Sequence, residues 1–167
     1  LFPTVGSLKN KSYTYKGKYY SLSQHGFARD RKFSLLEKTS DSLSFRLQAD
    51  EESKKLYPFD FSLEITYTLQ DERVLVEWKV FNLSEETMYF SIGGHPGFMC
   101  PLNNIGAQKD YFIDFHREGL ITIRKISEKG LAKAETSELF LKEGILPISE
   151  HLFDDDALVL ENHQAHK

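Results

Sequence analysis

The chain has 167 residues, 40% of them hydrophobic and 28% charged, a balance that suits a folded globular domain and excludes general disorder and collagen-like or low-complexity classes. A chain of this length can bury roughly two thirds of its unfolded surface, so its core requires neither disulfides nor metal. Its 21 basic and 25 acidic residues leave a net charge of −4, which supplies no large basic field for nucleic acid or an anionic membrane surface.

The opening Leu1-Phe2-Pro3-Thr4 has neither an initiator methionine nor the basic and apolar regions of a signal peptide, and no apolar run is long enough to span a bilayer. The first strand signal falls at residues 42–48. From 59 to 69 the alternation is strict, with Phe59, Phe61, Leu63, Ile65, Tyr67 and Leu69 separated by polar neighbours, the period of a half-buried strand. After the turn-like Gln70-Asp71-Glu72-Arg73, it resumes through Val74, Val76, Trp78 and Val80, so 59–81 reads as a β-hairpin. Weaker alternation predicts strands at 88–92, 111–115, 120–126 and 157–160, and only 135–142 reads as helical. The 13 Phe, 8 Tyr and single Trp favour a pleated surface. Many short antiparallel strands with almost no helix predict an all-β sandwich or barrel. No internal repeat or linker interrupts the chain, so residues 1–167 are expected to form a single domain. Both ends look cut, since Gln164-Ala165-His166-Lys167 follows directly on a strand-like run. The lone Cys100 forms no internal bridge and fits a reducing, cytoplasmic setting.

Two histidines sit in unusual company. His25 lies in Ser23-Gln24-His25-Gly26-Phe27-Ala28-Arg29, where Gly26 lets backbone approach a neighbour or a ligand closely. His95 lies in Gly93-Gly94-His95-Pro96-Gly97-Phe98, where glycine and proline on both sides fix an irregular backbone that presents an imidazole. For any lone histidine a hydrogen-bonded turn position is the commoner outcome, and two such settings in one β-rich chain raise the functional reading. His116, beside Arg117, and His163 and His166 read as surface positions, whereas His151 fits either role. One cysteine and no closely spaced histidine pair argue against a metal site. Neither a Gly-x-Ser-x-Gly elbow nor a glycine-rich phosphate loop is present. Asp154-Asp155-Asp156 reads first as a solvated turn, yet it sets carboxylates at the mouth of a strand, where they can accept from sugar hydroxyls. Phe27 and Phe98 are core candidates by default, and each could instead face the apolar C–H surface of a sugar ring.

Gly93-Gly94-His95-Pro96-Gly97-Phe98, preceded by Gln24-His25-Gly26-Phe27-Ala28-Arg29 and by Phe2-Pro3-x-Val5-Gly6-x-Leu8-Lys9-Asn10, resembles the aldose 1-epimerase (galactose mutarotase) family, and more closely its shorter bacterial epimerase-like branch. Tyr57-Pro58-Phe59 with the hairpin after it, Cys100-Pro101-Leu102 and the stretch from Leu152-Phe153 to Leu160 extend the resemblance over nearly the whole chain. It implies a large antiparallel β-sandwich of the galactose mutarotase-like kind, incomplete here at both ends. It further implies interconversion of the α and β anomers of a free hexose, with His95 as general acid toward the ring oxygen and His25 as the second active-site histidine. Arg29 and Phe98 become substrate contacts, and Asp155 or Asp156 the aspartate that holds distal hydroxyls. The implied partner is a small sugar, with no nucleic acid, membrane, metal or cofactor. Imidazole suits the acid role on its own account, because a pKa of about 6.5 lets it hold and release a proton near neutrality.

The chain departs from the family pattern at Ser7, often arginine, and at Met99, often asparagine. The family's catalytic glutamate is expected beyond Lys167, and Glu161 stands in the wrong place for it. A sugar-binding protein with weak or no turnover is therefore the alternative, and a ligand-free structural β-sandwich is the third reading.

Overall fold

The computed structural model describes residues 1–162 and 164. The chain divides into two compact units, Leu1–Gly94 and His95–Lys167. The first contains β1 (Ser12–Tyr15), β2 (Lys18–Ser21), β3 (Ser34–Lys38), β4 (Ser42–Gln48), the short helix α1 (Glu51–Leu56), β5 (Phe61–Gln70) and β6 (Arg73–Asn82). The second contains β7 (Phe112–Asp114), β8 (Gly119–Ile126), β9 (Ala132–Leu141), β10 (Ile145–Pro147) and β11 (Val159–Leu160). Every pairing between these strands is antiparallel, so the expected all-β class is the observed one. Among the described residues no helix is long and apolar enough to cross a membrane.

In the first unit a four-stranded sheet runs β3-β4-β5-β6. The predicted hairpin is its right half, paired from Phe61↔Asn82 to Gln70↔Arg73 about Asp71 and Glu72. Because side chains alternate faces, the register lines up Leu47, Leu63 and Val80, then Phe45, Ile65 and Trp78, then Leu43, Tyr67 and Val76. The first row is core, with Leu63 1% exposed, and the face opens along the hairpin until Tyr67 is 42% exposed. Aromatic rings fill the core end: Phe2 packs on Phe61 at 5.1 Å and Tyr57 on Phe59 at 4.7 Å between centroids. Rings at these separations gain contact energy beyond the area they bury.

The β1–β2 hairpin, strand β3 and helix α1 of this unit escaped the alternation signal. The β1–β2 hairpin turns on Lys16 and Gly17, both at positive φ, a primed turn that matches the twist of its short strands. Helix α1 starts at Asp50, whose side chain accepts from the Ser53 amide at 2.6 Å while Ser53 Oγ accepts from the Asp50 amide at 2.8 Å. That reciprocal cap, with Lys54 and Lys55 in the last turn, favours a helix in a stretch too short to show a period.

The strand expected at 88–92 does not form. The segment lies against the start of the chain in antiparallel register, with Leu1 and Gly93 exchanging bonds of 2.7 and 3.2 Å and the Ser91 amide donating to Pro3 O at 2.9 Å. Pro3 has no N–H to return, so the ladder is broken where it would have continued.

In the second unit β8 lies between β11 and β9, and β7 pairs with β10. The helix expected at 135–142 is instead most of β9, whose register sets Leu139 opposite Ile121 and Leu141 opposite Gly119. Two residues apart on a helix would point to roughly opposite sides, whereas a strand brings Leu139 and Leu141 to one face. There Leu141 joins Phe115, Ile121 and Leu146 in the unit's core.

Candidate active site

His25 sits in a turn that the surrounding backbone fully determines. Its φ is 67°, a left-handed value, and Gly26 follows at 72°. The amides of Phe27 and Ala28 both donate to Phe2 O at 3.1 Å, and Ser23 Oγ donates to Gly26 O at 2.6 Å. A side chain at position 26 would place Cβ 2.3 Å from Phe2 O and 2.7 Å from Pro3 Cδ, so the close approach expected of Gly26 is real and admits glycine alone. His25 is bound to Gly6 twice: its amide donates to Gly6 O at 2.9 Å, and the Gly6 amide donates to its ring Nδ1 at 3.0 Å. The sequence signal for the second bond is faint, being one glycine within a motif 19 residues away.

Beyond the histidine the chain enters a 3-10 turn, Ala28–Asp30. Phe27 takes the core option, 5% exposed and 6.2 Å from Phe61. Arg29 points outward, its side chain half exposed and 3.8 Å from Asp30. A cavity of about 510 Å³ in this unit is lined chiefly by Tyr13, Tyr15, Tyr57, Phe59, Tyr89 and Phe90, and neither His25 nor Arg29 borders it. Burial raises the Tyr13 and Tyr57 hydroxyls above the ordinary tyrosine range, with Tyr20 adding to the shift of Tyr13 and Tyr13 to that of Tyr57. Both hydroxyls donate to backbone, Tyr13 to Leu56 O at 2.9 Å and Tyr57 to Tyr89 O at 2.8 Å.

The remaining predicted residues belong to the second unit. His95 and Phe98 lie in an exposed irregular segment, with Phe98 88% exposed, so its ring is available as a surface rather than as core. Asp154, Asp155 and Asp156 form the turn before β11 and border a cavity of about 760 Å³ against β8 and β9. Within it His151 Nδ1 and Asp154 Oδ2 are 2.8 Å apart, while Asp156, at φ 80°, accepts from the Ala157 amide at 2.7 Å. The His151–Asp154 contact was not visible beforehand, although a spacing of three residues is its natural signature. Glu161 is committed elsewhere: Arg124 Nη2 donates to it at 2.6 Å and holds its carboxyl below the usual range. His116 is exposed beside Asp114 at 3.4 Å, as a surface histidine should be. His163 and His166 lie outside the described residues.

With this geometry in hand, the likeness to known proteins is informative. The family model described as aldose 1-epimerase matches residues 2–165. The plasmid and chromosomal forms of Protein LacX from Lactococcus lactis subsp. lactis are each 32% identical over 96% of this chain and 56% of their own length. The chain thus spans a little over half the length of these curated relatives. Among solved structures, a galactose mutarotase related enzyme from Lactobacillus acidophilus superposes with a TM-score of 0.86 at 38% identity, over 93% of this chain and 52% of that one. A galactose mutarotase-like protein from Lactobacillus casei gives a TM-score of 0.75 at 27% identity, over 92% and 53%. The fold is therefore galactose mutarotase-like, as the resemblance implied.

Proposed function

The chain belongs to the aldose 1-epimerase family, and on that premise we propose that the protein interconverts the α and β anomers of a free hexose by acid–base ring opening. The observation that carries this reading is the reach of one family model across residues 2–165, which takes in both histidine segments and the Asp154–Asp156 turn.

In this reading His95 gives its proton to the ring oxygen as the bond from that oxygen to C1 breaks, and the anomeric hydroxyl loses its proton to a base. The C1 aldehyde turns about its bond to C2, and the reverse steps close the ring on its other face. Glu161, whose carboxylate Arg124 engages, is not assigned as the base in this reading. His25 donates to a sugar oxygen from its pinned turn. Arg29 contacts hydroxyls, Phe98 offers an apolar ring to the C–H face, and Asp155 or Asp156 accepts from distal hydroxyls.

The test is the approach to anomeric equilibrium of freshly dissolved α-D-glucose and α-D-galactose, followed by polarimetry with and without protein. Acceleration over the buffer rate supports the reading. A sugar that raises the melting temperature without accelerated mutarotation would instead favour a sugar-binding protein lacking turnover.

A further inference from the structure

The aromatic cavity of the first unit has walls that are held apart. Tyr13 and Tyr15, two positions apart on β1, share one side of that strand and face a wall completed by Tyr57, Phe59, Tyr89 and Phe90. Tyr13 and Tyr57 are each fixed twice. Tyr13 stacks on Tyr20 at 5.4 Å and its hydroxyl donates to Leu56 O, while Tyr57 packs on Phe59 at 4.7 Å and its hydroxyl donates to Tyr89 O. Tyr15 lies 4.8 Å from Phe59, and the Lys16–Glu86 ion pair at 2.6 Å ties down the hairpin turn beside it. Rings fastened in this way do not swing inward to fill the space, and a preformed site loses little to ordering when a ligand enters.

The chemistry of the wall narrows what can enter. None of the described lining residues carries a charge, and burial keeps the Tyr13 and Tyr57 phenols protonated. An ion would therefore lose its hydration and meet no opposite charge. Both phenols have spent their one proton on a backbone carbonyl, so neither can donate to the many hydroxyls of a sugar. Thr4 also borders the cavity, and its hydroxyl oxygen is buried with no hydrogen-bond partner. A buried hydroxyl left unpaired costs stability, which an incoming acceptor recovers. The volume of about 510 Å³ exceeds the roughly 150 Å³ that takes a single benzene ring, so it suits a larger aromatic body. From this we propose that the cavity is a binding site for an uncharged two-ring aromatic molecule bearing one hydrogen-bond acceptor, its rings against the aromatic wall and its acceptor met by the Thr4 hydroxyl. None of the residues given to the sugar lines this cavity, so the inference is independent of the mutarotase-like reading.

The test titrates the 167-residue chain with a neutral naphthalene ketone, 6-propionyl-2-dimethylaminonaphthalene, whose emission moves to the blue as it leaves water. The expected result is a saturable blue shift at one probe per chain. Neutral 2-acetylnaphthalene should displace the probe, and naphthalene-2-sulfonate, with the same rings and a charge, should not. Tyr89→Ala removes a wall ring from a residue 69% exposed, which leaves the core intact, and should weaken binding roughly three- to tenfold. Tyr19→Ala removes a tyrosine 83% exposed that does not line the cavity, and should change nothing. Thr4→Val keeps the shape and deletes the hydroxyl, so the ketone should bind roughly threefold or more weakly while naphthalene itself binds as before. Emission that rises without saturating, displacement by the sulfonate, equal losses in the two tyrosine variants, or a Thr4→Val chain that binds the ketone as wild type does would each overturn the proposal. Light scattering on the same samples reads one further outcome: a dimer that excludes the probe would give the cavity to a second copy of the chain and overturn the proposal as well.

Discussion

Replacing Gly26 by alanine tests the claim that one crowded backbone contact holds the His25 turn. The new Cβ would lie 2.3 Å from Phe2 O and 2.5 Å from Phe2 C, and both are backbone atoms of a fully buried residue that cannot retreat as a flexible side chain would. The left-handed φ of 72° costs an alanine about 1–2 kcal/mol by itself. Relieving the clash pushes the turn off Phe2 and loses the Phe27 and Ala28 amide bonds, about 1 kcal/mol each. The sum is about 3–4 kcal/mol, or roughly 15–25 °C in the melting temperature of a unit this size. Gly17→Ala is the control: its φ of 75° is equally left-handed and nothing lies within 4 Å of its added Cβ, so it should lose only the conformational part, roughly 5–10 °C. Trp78, the single tryptophan, stands on β6 in the same unit and reports its unfolding by fluorescence. If Gly26→Ala melts no lower than Gly17→Ala, the packing argument for the turn is refuted.

Phe61→Ala should cost about 3–5 kcal/mol by urea denaturation, since the ring is 1% exposed and packs on Phe2, Phe27 and Tyr57; a loss below 1 kcal/mol would contradict the assigned core. Asp50 has its carboxyl held below the ordinary range chiefly by the Ser53 amide, with further help from the Ser53 hydroxyl and Arg31. A lowered folded value means that its contribution is complete above the unfolded carboxylate pKa of about 3.9 and is lost as the pH falls through the folded one. Asp50→Asn keeps an acceptor without the charge, so the gap in urea midpoint between wild type and variant should be constant from pH 7 to 5 and shrink below about pH 4; a gap unchanged into that acid range would show that the charge contributes nothing.

What could be read in the sequence follows from where a period is long enough to count. The run from Phe59 to Val80 carries ten alternating apolar positions, and its hairpin appears within one or two residues of the expected ends. Around Leu139, Phe140 and Leu141 three consecutive apolar residues suit a helix and a strand equally, and only the partner strand β8 decides between them. At 88–92 the pattern was sound, but its partner contained Pro3, and pairing is a property of two segments. The site shows the same division. Gly26 beside His25 announced a close approach that the structure contains, whereas the Gly6 amide on Nδ1 joins residues 19 apart and leaves no local trace. Phe27 and Phe98 look alike in their motifs, yet one is core and the other is 88% exposed, because burial depends on what the rest of the fold brings alongside. The ion pair of Glu161 with Arg124 joins residues 37 apart and likewise leaves no local trace in the sequence.

The most direct test of the central claim is the rate of α to β exchange of galactose measured by saturation-transfer NMR with wild-type protein and with His95→Gln at neutral pH. The account predicts exchange above the buffer rate for the wild type and a loss of roughly a hundredfold or more for the variant, the usual scale for removing a positioned general acid, with sugar binding retained. Equal catalysed rates in the two proteins would contradict it.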